Sequence, residues 1–385
     1  MAMKLPLGFR TAGVAAGIKR SGRPDLGLIV GDEPLAWALV GTENLVKAPC
    51  VTRNRARHAA LHPVRALVVN AGNANCANGD TGVWDNEDLA AIGAGALGLE
   101  RVQDVLTAST GVIGKPLPMD RVRAGMPLAV AALQGDDADD LAGAILTTDL
   151  VTKQVEATLP GGARVLGIAK GSGMIHPNMA TMFAFVLTDA VVDQRQLRRA
   201  WREITDATFN QVTVDGDTST NDMAIVLASN RTRCDPDDLV AALTQVCEGL
   251  ARAIAADGEG ATTLITVEVR GGRTPADART AAKAVASSSL VKTAIHGRDP
   301  NWGRIVSAIG QSGVVADIDN LTVRLQGVEV FHGTSKPFDE PSVSAAMHEA
   351  EVVIEIDLAA GEGSARAWGC DLTADYVRIN AEYRT

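Results

Sequence analysis

The sequence predicts a mixed α/β fold, and three observations support this class. Short apolar runs bounded by Gly and Pro alternate along the chain with segments of helical periodicity. Hydrophobic residues make up 46% and charged residues 21% of the chain, as is typical of globular proteins. The 385 residues correspond to two or three domains at about 150 residues each. We therefore expect helices and many strands around a large core.

In the first half of the chain, strands are predicted where apolar runs end in turn signals. The run 66–70 precedes a glycine-rich turn at 71–75, and 105–109 is a second short strand. Residues 155–168 are predicted to form two strands joined by a hairpin at 160–162. Helical periodicity covers three further segments, 86–97, 119–133 and 137–146.

The second half of the chain continues the same alternation. The predicted strands are 182–187, 264–269, 321–331 and 352–358. The predicted helices are 194–209, 236–256 and 277–286. No internal repeat, low-complexity linker or run of like charge marks a domain boundary, so the domain limits stay undefined at this level.

Charge and composition exclude several classes of partner. The net charge is −10, which argues against a broad nucleic-acid surface, because such a surface needs clustered Lys and Arg. No apolar run approaches the ~18 residues of a membrane span, and the first residues lack the apolar stretch of a secretory signal. We therefore expect no nucleic-acid partner and no membrane span.

The cysteines and histidines predict neither a disulfide framework nor a metal site. The five cysteines are widely spaced and form no CxxC, and the six histidines form no HxxxH or HExxH pair. We expect reduced thiols, a cytoplasmic protein and no bound metal.

Several familiar catalytic motifs are absent. A phosphate-binding loop ending at Gly114 and Lys115 would need Gly at 109, where the chain has Ser109. The third glycine of a GxGxxG starting at Gly171 is replaced by His176, and no GxSxG is present. The acidic segment 215–222 lacks the terminal Glu of an EF-hand and is expected to form a solvated or active-site loop.

The most unusual segment is KGSGMIHPNMATMFAF at 170–185, where a glycine-rich loop leads into an apolar strand that begins at Thr181. This layout suits a chain that cleaves itself between Ala180 and Thr181. The freed α-amine, with an ordinary pKa of ~7.7–8.0, would serve the threonine hydroxyl as its general base. From the residues alone, a structural threonine at the start of a strand is the competing interpretation.

The same segment resembles the signature of the glutamate N-acetyltransferase (ornithine acetyltransferase) family of arginine biosynthesis. Further matching stretches occur in family order: NAGNAN, TASTGVIG, LTTD, TFNQVTVDGDTSTND, DGEGAT, LVKTAIHGRDPNWGR and GCDLTADYVRINAEYRT. The resemblance extends from about residue 8 to the last residue.

This resemblance implies an architecture and a processing event. The implied fold is an α-β-β-α sandwich with a second, smaller domain. Self-cleavage at Ala180–Thr181 would give an α chain, 1–180, and a β chain, 181–385, that share the core. The smaller domain would lie within the β chain, and two α and two β chains would form a heterotetramer.

The resemblance also implies the reaction and the site. Acetyl would pass from N2-acetylornithine to Thr181 and then to glutamate, without a cofactor and with acetyl-CoA as a possible co-substrate. The Thr110 hydroxyl and the Gly111 amide would stabilise the oxyanion. The implied substrate-binding residues are Thr147, Lys170, Thr181, Glu259, Asn380 and Thr385. Of these, Lys170 suits an α-carboxylate and Glu259 suits the ornithine ammonium.

Two other functions stay open. An N-terminal-nucleophile amidohydrolase or aminopeptidase would also cleave itself but would use other acceptors. A metabolite-binding protein without catalysis would not need the threonine.

The chain has Thr263 where the family usually has Lys, and Leu150 where it commonly has Thr. The polar run 296–304 is expected to be a hydrogen-bonded turn.

Overall fold

The structure, a computed structural model, describes residues 3–176 and 182–382 and confirms the predicted mixed α/β class. The strands are β1 (Phe9–Val14), β2 (Leu26–Gly41), β3 (Val64–Asn73), β4 (Val105–Val112), β5 (Lys153–Thr158), β6 (Arg164–Lys170), β7 (Phe183–Ala190), β8 (Met223–Thr232), β9 (Leu264–Gly272), β10 (Thr322–Leu325), β11 (Val328–His332), β12 (Thr334–Ser335), β13 (Glu351–Asp357) and β14 (Gly363–Cys370).

The helices alternate with these strands. They are α1 (Pro49–Ala59), α2 (Gly79–Ala96), α3 (Met119–Ala131), α4 (Asp139–Ala144), α5 (Gln194–Ala207), α6 (Pro236–Ala256), α7 (Pro275–Ser287), α8 (Ser289–His296), α9 (Trp302–Gln311), α10 (Glu340–Ala346) and α11 (Ala374–Glu382), with short 3₁₀ turns at Val102–Asp104 and Phe209–Gln211.

The described residues divide into two compact units. The first unit contains 3–171, 182–205 and 218–250, and the second contains 172–176, 206–217 and 251–382. No single linker separates the units, because the chain passes between them several times. This explains why no boundary is visible in the sequence.

The first unit is built on strands in the order β4-β3-β2-β8-β7-β6-β5, with β1 added to β2. The 16-residue strand β2 belongs to two sheets, because its first part pairs with β3 and its last six residues pair with β8. An irregularity between Val30 and Leu35 separates the two parts. A long strand with such a break can pass from one layer of a sandwich to the other.

The side chains of this unit confirm the four layers of an α-β-β-α sandwich. Alternate residues of both sheets, such as Leu67 and Phe185, belong to one buried cluster, so these faces pack on each other. On the outer face of the first sheet, Val68 packs with Leu89 of α2 and Val122 of α3. The outer face of the second sheet is covered by α5 and α6.

The contacts of α5 and α6 with the second sheet are close. The indole nitrogen of Trp201 donates to the carbonyl oxygen of Ala224 at 3.0 Å. A Cβ on Gly167 of β6 would lie 2.5 Å from Val246 and 2.6 Å from Leu250, so the glycine lets the helix approach the strand. Helix α6 is also long and apolar enough to cross a membrane, but half of its most apolar window is buried, as in a core helix.

The second, smaller unit contains a six-stranded sheet in the order β12-β11-β10-β13-β9-β14. Strands β9 and β13 are parallel, and the other neighbours are antiparallel. Val267 of β9 and Val285 of α7 belong to its buried core, and Trp302 of α9 stacks on Phe331 at a centroid distance of 5.2 Å. This unit therefore has a hydrophobic core of its own.

Candidate active site

The predicted oxyanion residues lie where the parallel strands β3 and β4 end side by side. Thr110 pairs with Ala71, and Gly111 pairs with Gly72. Gly111 has φ +128°, and a Cβ on it would lie 2.4 Å from the carbonyl carbon of Gly72. Only glycine fits this position, so the close approach of the two strands fixes the Gly111 backbone. Thr110 is buried beside it.

Buried amide side chains hold this turn from two other motifs. Asn221 donates from Nδ2 to the carbonyl oxygens of Ser109, at 2.7 Å, and Ala74, at 2.6 Å. The Ser109 hydroxyl donates to Oδ1 of Asn70 at 2.7 Å. The segments NAGNAN, STG and TND are therefore parts of one hydrogen-bonded network, which keeps the turn from moving.

Thr147 and Lys170 are brought together by a carboxylate that the sequence did not single out. Asp149 accepts hydrogen bonds from Lys153 Nζ at 2.8 Å, from the Gly171 amide at 2.6 Å and from the Thr147 amide at 3.0 Å. Burial would raise the pKa of Asp149, but the positive charges of Lys170 and Lys153 outweigh it and hold the pKa well below its usual value. Asp149 is therefore ionised and fixes the end of β6, where Lys170 is buried.

A second buried carboxyl adjoins the start of β7. Oδ1 of Asp222 accepts a hydrogen bond from the Met182 amide at 2.6 Å. Its Oδ2 is buried and has no hydrogen-bond partner among the described residues. Burial raises the pKa of Asp222 well above its usual value, although the Met182 amide and the charge of Lys170 oppose this effect. Asp222 therefore holds the amide of Met182, the first described residue after the expected cleavage site.

In the second unit, the structure brings Glu259 and Asn380 together. Nδ2 of Asn380 donates to Oε2 of Glu259 at 2.9 Å, and the Glu259 amide donates to the carbonyl oxygen of Ser172 at 2.8 Å. A Cβ on Gly173 would lie 2.4 Å from the Glu259 carboxylate, so this glycine leaves room for it. Two of the predicted substrate-binding side chains are thus direct neighbours.

The backbone of residues 172–176 is anchored by Asp215. The carboxylate of Asp215 accepts from the amides of Met174, at 2.6 Å, and Ile175, at 2.9 Å. Met174 needs such support because its φ of +56° is unfavourable for a side-chain-bearing residue. Burial, together with the negative charge of Asp215, raises the pKa of Tyr376. The acidic segment therefore anchors residues 174 and 175, which precede the expected cleavage site.

The polar run after residue 290 is tied to the loop that carries Glu259. Asp371 accepts from the Thr262 amide at 2.7 Å, from the Thr262 hydroxyl at 2.6 Å and from the Thr263 amide at 3.0 Å. Nδ1 of His296 lies 2.9 Å from Asp371. Despite burial of Asp371, these hydrogen bonds hold its pKa below the usual value. The run thus acts in part as the expected hydrogen-bonded structure.

The two departures from the family pattern have different surroundings. The Thr263 hydroxyl accepts from Arg298 at 2.8 Å, so it is part of the same loop support. Leu150 is 83% exposed.

Three predicted residues, Ala180, Thr181 and Thr385, lie outside the described residues. Between 3 and 176 and between 182 and 382, no group of three or more His, Cys, Asp or Glu side chains is placed to hold a metal ion. The five cysteines are all free thiols. The supporting residues that sequence reasoning missed are Asn70, Asp149, Asn221, Asp222 and Asp371, and each of them lies inside a motif that the sequence contained.

Comparisons with known proteins agree with the predicted resemblance. Residues 10–385 match the model of the ArgJ family. The arginine biosynthesis bifunctional protein ArgJ of Thermus thermophilus is 50% identical over 387 residues, with 100% of both chains covered. That of Deinococcus radiodurans is 51% identical and covers 99% of this chain and 97% of its own length.

A solved structure leads to the same family. The crystal structure of arginine biosynthesis bifunctional protein argJ from Bacillus halodurans is 46% identical, with a TM-score of 0.51. It covers 53% of this chain and 100% of its own. The match extends over nearly the whole sequence, and the two relatives are covered over 100% and 97% of their own lengths. The chain belongs to the ArgJ family.

Proposed function

We propose that this chain is a glutamate N-acetyltransferase that moves acetyl from N2-acetylornithine to glutamate in arginine biosynthesis. The observation that carries this proposal is the match over the full length of proteins named for arginine biosynthesis. The fixed turn at Thr110 and Gly111 agrees with it, because acyl transfer needs preorganised donors for an oxyanion.

The first half of the reaction acetylates the enzyme. The Thr181 hydroxyl attacks the acetyl carbonyl carbon and gives its proton to the Thr181 α-amine, which acts as general base. The carbonyl oxygen becomes an oxyanion that accepts hydrogen bonds from the Thr110 hydroxyl and the Gly111 amide. The intermediate then collapses, the C–N bond breaks, and the departing ornithine amine takes up the proton.

The second half returns the acetyl group to an amino acid. The α-amine of glutamate attacks the carbonyl carbon of the acetyl-Thr181 ester and gives a proton to the Thr181 α-amine. The same oxyanion forms and collapses, the C–O bond to Thr181 breaks, and the Thr181 oxygen takes up the proton as N-acetylglutamate leaves. Lys170 suits the α-carboxylate that both amino acids carry. Glu259, held by Asn380, suits the side-chain ammonium of ornithine. Thr147, on the loop fixed by Asp149, and Thr385 complete the proposed site.

The nucleophile becomes available by self-cleavage. The Thr181 hydroxyl attacks the carbonyl carbon of Ala180, and the C–N bond between the two residues breaks, which leaves an ester and frees the α-amine of Thr181. Water then hydrolyses the ester, which releases the Ala180 carboxylate and restores the Thr181 hydroxyl. The anchoring of residues 174 and 175 by Asp215, and of the Met182 amide by Asp222, supports this step because it restrains the chain on both sides. The products would be chains of 180 and 205 residues.

Three further properties belong to the same proposal. Acetyl-CoA would serve as a second acetyl donor for Thr181, without any bound cofactor. The α and β chains would stay together as a heterotetramer of two each. The free thiols of all five cysteines support a cytoplasmic location.

Electrophoresis and an acceptor assay test the proposal together. The purified wild-type protein should give two bands and should transfer acetyl from N2-acetylornithine to glutamate much faster than it hydrolyses the donor. Thr181→Ala should give one uncleaved band and no transfer, while Thr181→Ser should still cleave. The same assay with acetyl-CoA as the only donor tests the second activity.

Two results would contradict the proposal. Normal cleavage of the Thr181→Ala protein would exclude autocatalysis by this residue. A wild-type protein that releases free acetate, or cleaves peptides, without acetylating glutamate would instead be an N-terminal-nucleophile amidohydrolase or aminopeptidase.

A further inference from the structure

The loop between β1 and β2 places a lysine beside the proposed site. Oδ1 of Asp25 accepts from the Ala16 amide at 2.7 Å, and its Oδ2 accepts from the Lys19 amide at 2.8 Å. Asp25 is fully buried, so this carboxylate fixes the loop from the inside. The backbone of Lys19 is therefore held in place.

The Lys19 side chain extends towards two parts of the proposed site in the first unit. A Cβ on Gly72 would lie 3.0 Å from Lys19 Cγ, so the lysine stem packs on the glycine that faces Gly111. Lys19 Nζ donates to the carbonyl oxygen of Ala144 at 3.0 Å and to that of Pro24 at 2.5 Å. Ala144 lies three residues before Thr147, so Lys19 lies between the oxyanion turn and a proposed substrate-binding loop.

The positive charge of Lys19 is not balanced by an ion pair. Among the described residues, no carboxylate lies within 4.0 Å of Lys19 Nζ in an ion pair, and its two carbonyl partners carry no net charge. Asp149 is paired with Lys153, and both oxygens of Asp25 accept backbone amides. Burial lowers the pKa of Lys19 to about 8, although the negative charge of Asp25 acts to raise it. The ammonium is therefore mainly protonated at pH 7.

The proposed reaction requires a charge of this kind. In one half-reaction the side chain of the amino acid ends in an ammonium, and in the other it ends in a carboxylate. Glu259 suits the ammonium only, and the proposed function already assigns Lys170 to the α-carboxylate. Glutamate therefore needs a second cation for its side-chain carboxylate, and an anchored, half-buried ammonium can supply one at little cost in side-chain entropy.

We propose that Lys19 Nζ binds the side-chain carboxylate of glutamate and so selects the acetyl acceptor. This inference rests on the proposed acetyl transfer. Two N–H groups of the Lys19 ammonium donate to the carbonyl oxygens of Ala144 and Pro24. The third N–H is then left to donate to the substrate carboxylate. Lys19 is thus a specificity residue for the second half-reaction and has no part in the chemistry of the first.

A Lys19 variant that loses the positive charge but keeps the aliphatic part of the side chain tests this role. Lys19→Met keeps a chain that packs on Gly72, Lys19→Arg keeps the charge, and Lys115→Met removes an exposed lysine of the same unit as a control. Each variant is assayed for ornithine release from N2-acetylornithine and for acetyl transfer to glutamate and to glutamine. Glutamine has the same shape without the side-chain charge. Inhibition constants of the two acceptors against N2-acetylornithine give a second measure of their preference.

In Lys19→Met, we expect kcat/KM for glutamate to fall about 10- to 100-fold, the range of one charge-assisted hydrogen bond. Ornithine release and transfer to glutamine should stay within about twofold of the wild-type rates. The ratio of kcat/KM for glutamate to kcat/KM for glutamine therefore falls by about the same factor as kcat/KM for glutamate. Lys19→Arg should restore much of the ratio, and Lys115→Met should keep it. An equal loss for glutamate and glutamine, or no loss, would overturn the inference. Absence of any transfer in the wild-type protein would instead refute the proposed function.

Discussion

Replacement of Gly111 by alanine should disrupt the oxyanion turn directly. The new Cβ would lie 2.4 Å from the Gly72 carbonyl carbon and 2.6 Å from the Asn73 nitrogen, whereas ordinary contacts begin at 3.4 Å. The strands must therefore separate by 3.4 − 2.4 = 1.0 Å. Overpacking costs about 1–3 kcal/mol, and the φ of +128° adds about 1–3 kcal/mol for a residue with a Cβ.

The expected loss is therefore about 2–6 kcal/mol of unfolding free energy, measured by urea denaturation. A shift of about 1 Å at a catalytic donor also lowers kcat about 100-fold, measured as N-acetylglutamate formation. Gly114→Ala is the matched control, because Gly114 has φ +77° but nothing within 4 Å of its Cβ. It should lose only about 1–2 kcal/mol and keep its activity. If Gly111→Ala transferred acetyl at the wild-type rate, the oxyanion assignment would be wrong.

Two further predictions concern the buried carboxyl groups. Asp149→Asn leaves Lys153 buried without its counter-charge and should lower the unfolding free energy by about 3–5 kcal/mol at pH 7. Because the folded pKa of Asp149 is lowered, this difference should shrink as pH falls below about 4, and a constant difference would refute the ion pair. Asp222→Asn keeps an acceptor for the Met182 amide and stays neutral. Because the folded pKa of Asp222 is raised, wild-type stability should fall relative to this variant as pH rises above about 4, and parallel pH curves would contradict a protonated Asp222.

The elements with clear periodicity could be predicted from the sequence, and those whose signal depends on long-range pairing could not. The predicted helix 236–256 has the bounds of α6, because its apolar face repeats regularly over six turns. Helix α2 begins at Gly79, seven residues before the predicted start, because Gly79 and Gly82 weaken the local helix signal. Strand β2 carries charged residues at its bend, so its 16 residues do not form a single apolar run.

The site shows the same division between local and long-range information. Thr110 and Gly111 could be predicted from a motif. The position requires glycine because the backbone of Gly72, 39 residues away along the chain, lies too close for a Cβ. Lys19 lies in none of the stretches that match the family signature. It became a candidate only when the fold placed it against Gly72 and Ala144.

Five aspartates, four of them inside the matching motifs, have a common role that their sequence context hides. Each accepts hydrogen bonds from amides of a neighbouring loop: Asp25 from Ala16 and Lys19, Asp149 from Thr147 and Gly171, Asp215 from Met174 and Ile175, Asp222 from Met182, and Asp371 from Thr262 and Thr263. Backbone amides in a loop have no sheet or helix partner, so buried acceptors must be supplied by side chains.

This role changes which residues are expected to meet the substrate. An acidic motif in a candidate site suggests general bases or metal ligands, but a carboxylate that already accepts two amides has little capacity left for either function. Under the proposed function, the groups left to bind a substrate are the Thr147 hydroxyl and the ammonium groups of Lys19 and Lys170 in the first unit, and the pair formed by Glu259 and Asn380 in the second. The aspartates fix the loops. This fits the proposed mechanism, in which the α-amine of Thr181 is the base and no acid–base carboxylate is needed beside the nucleophile.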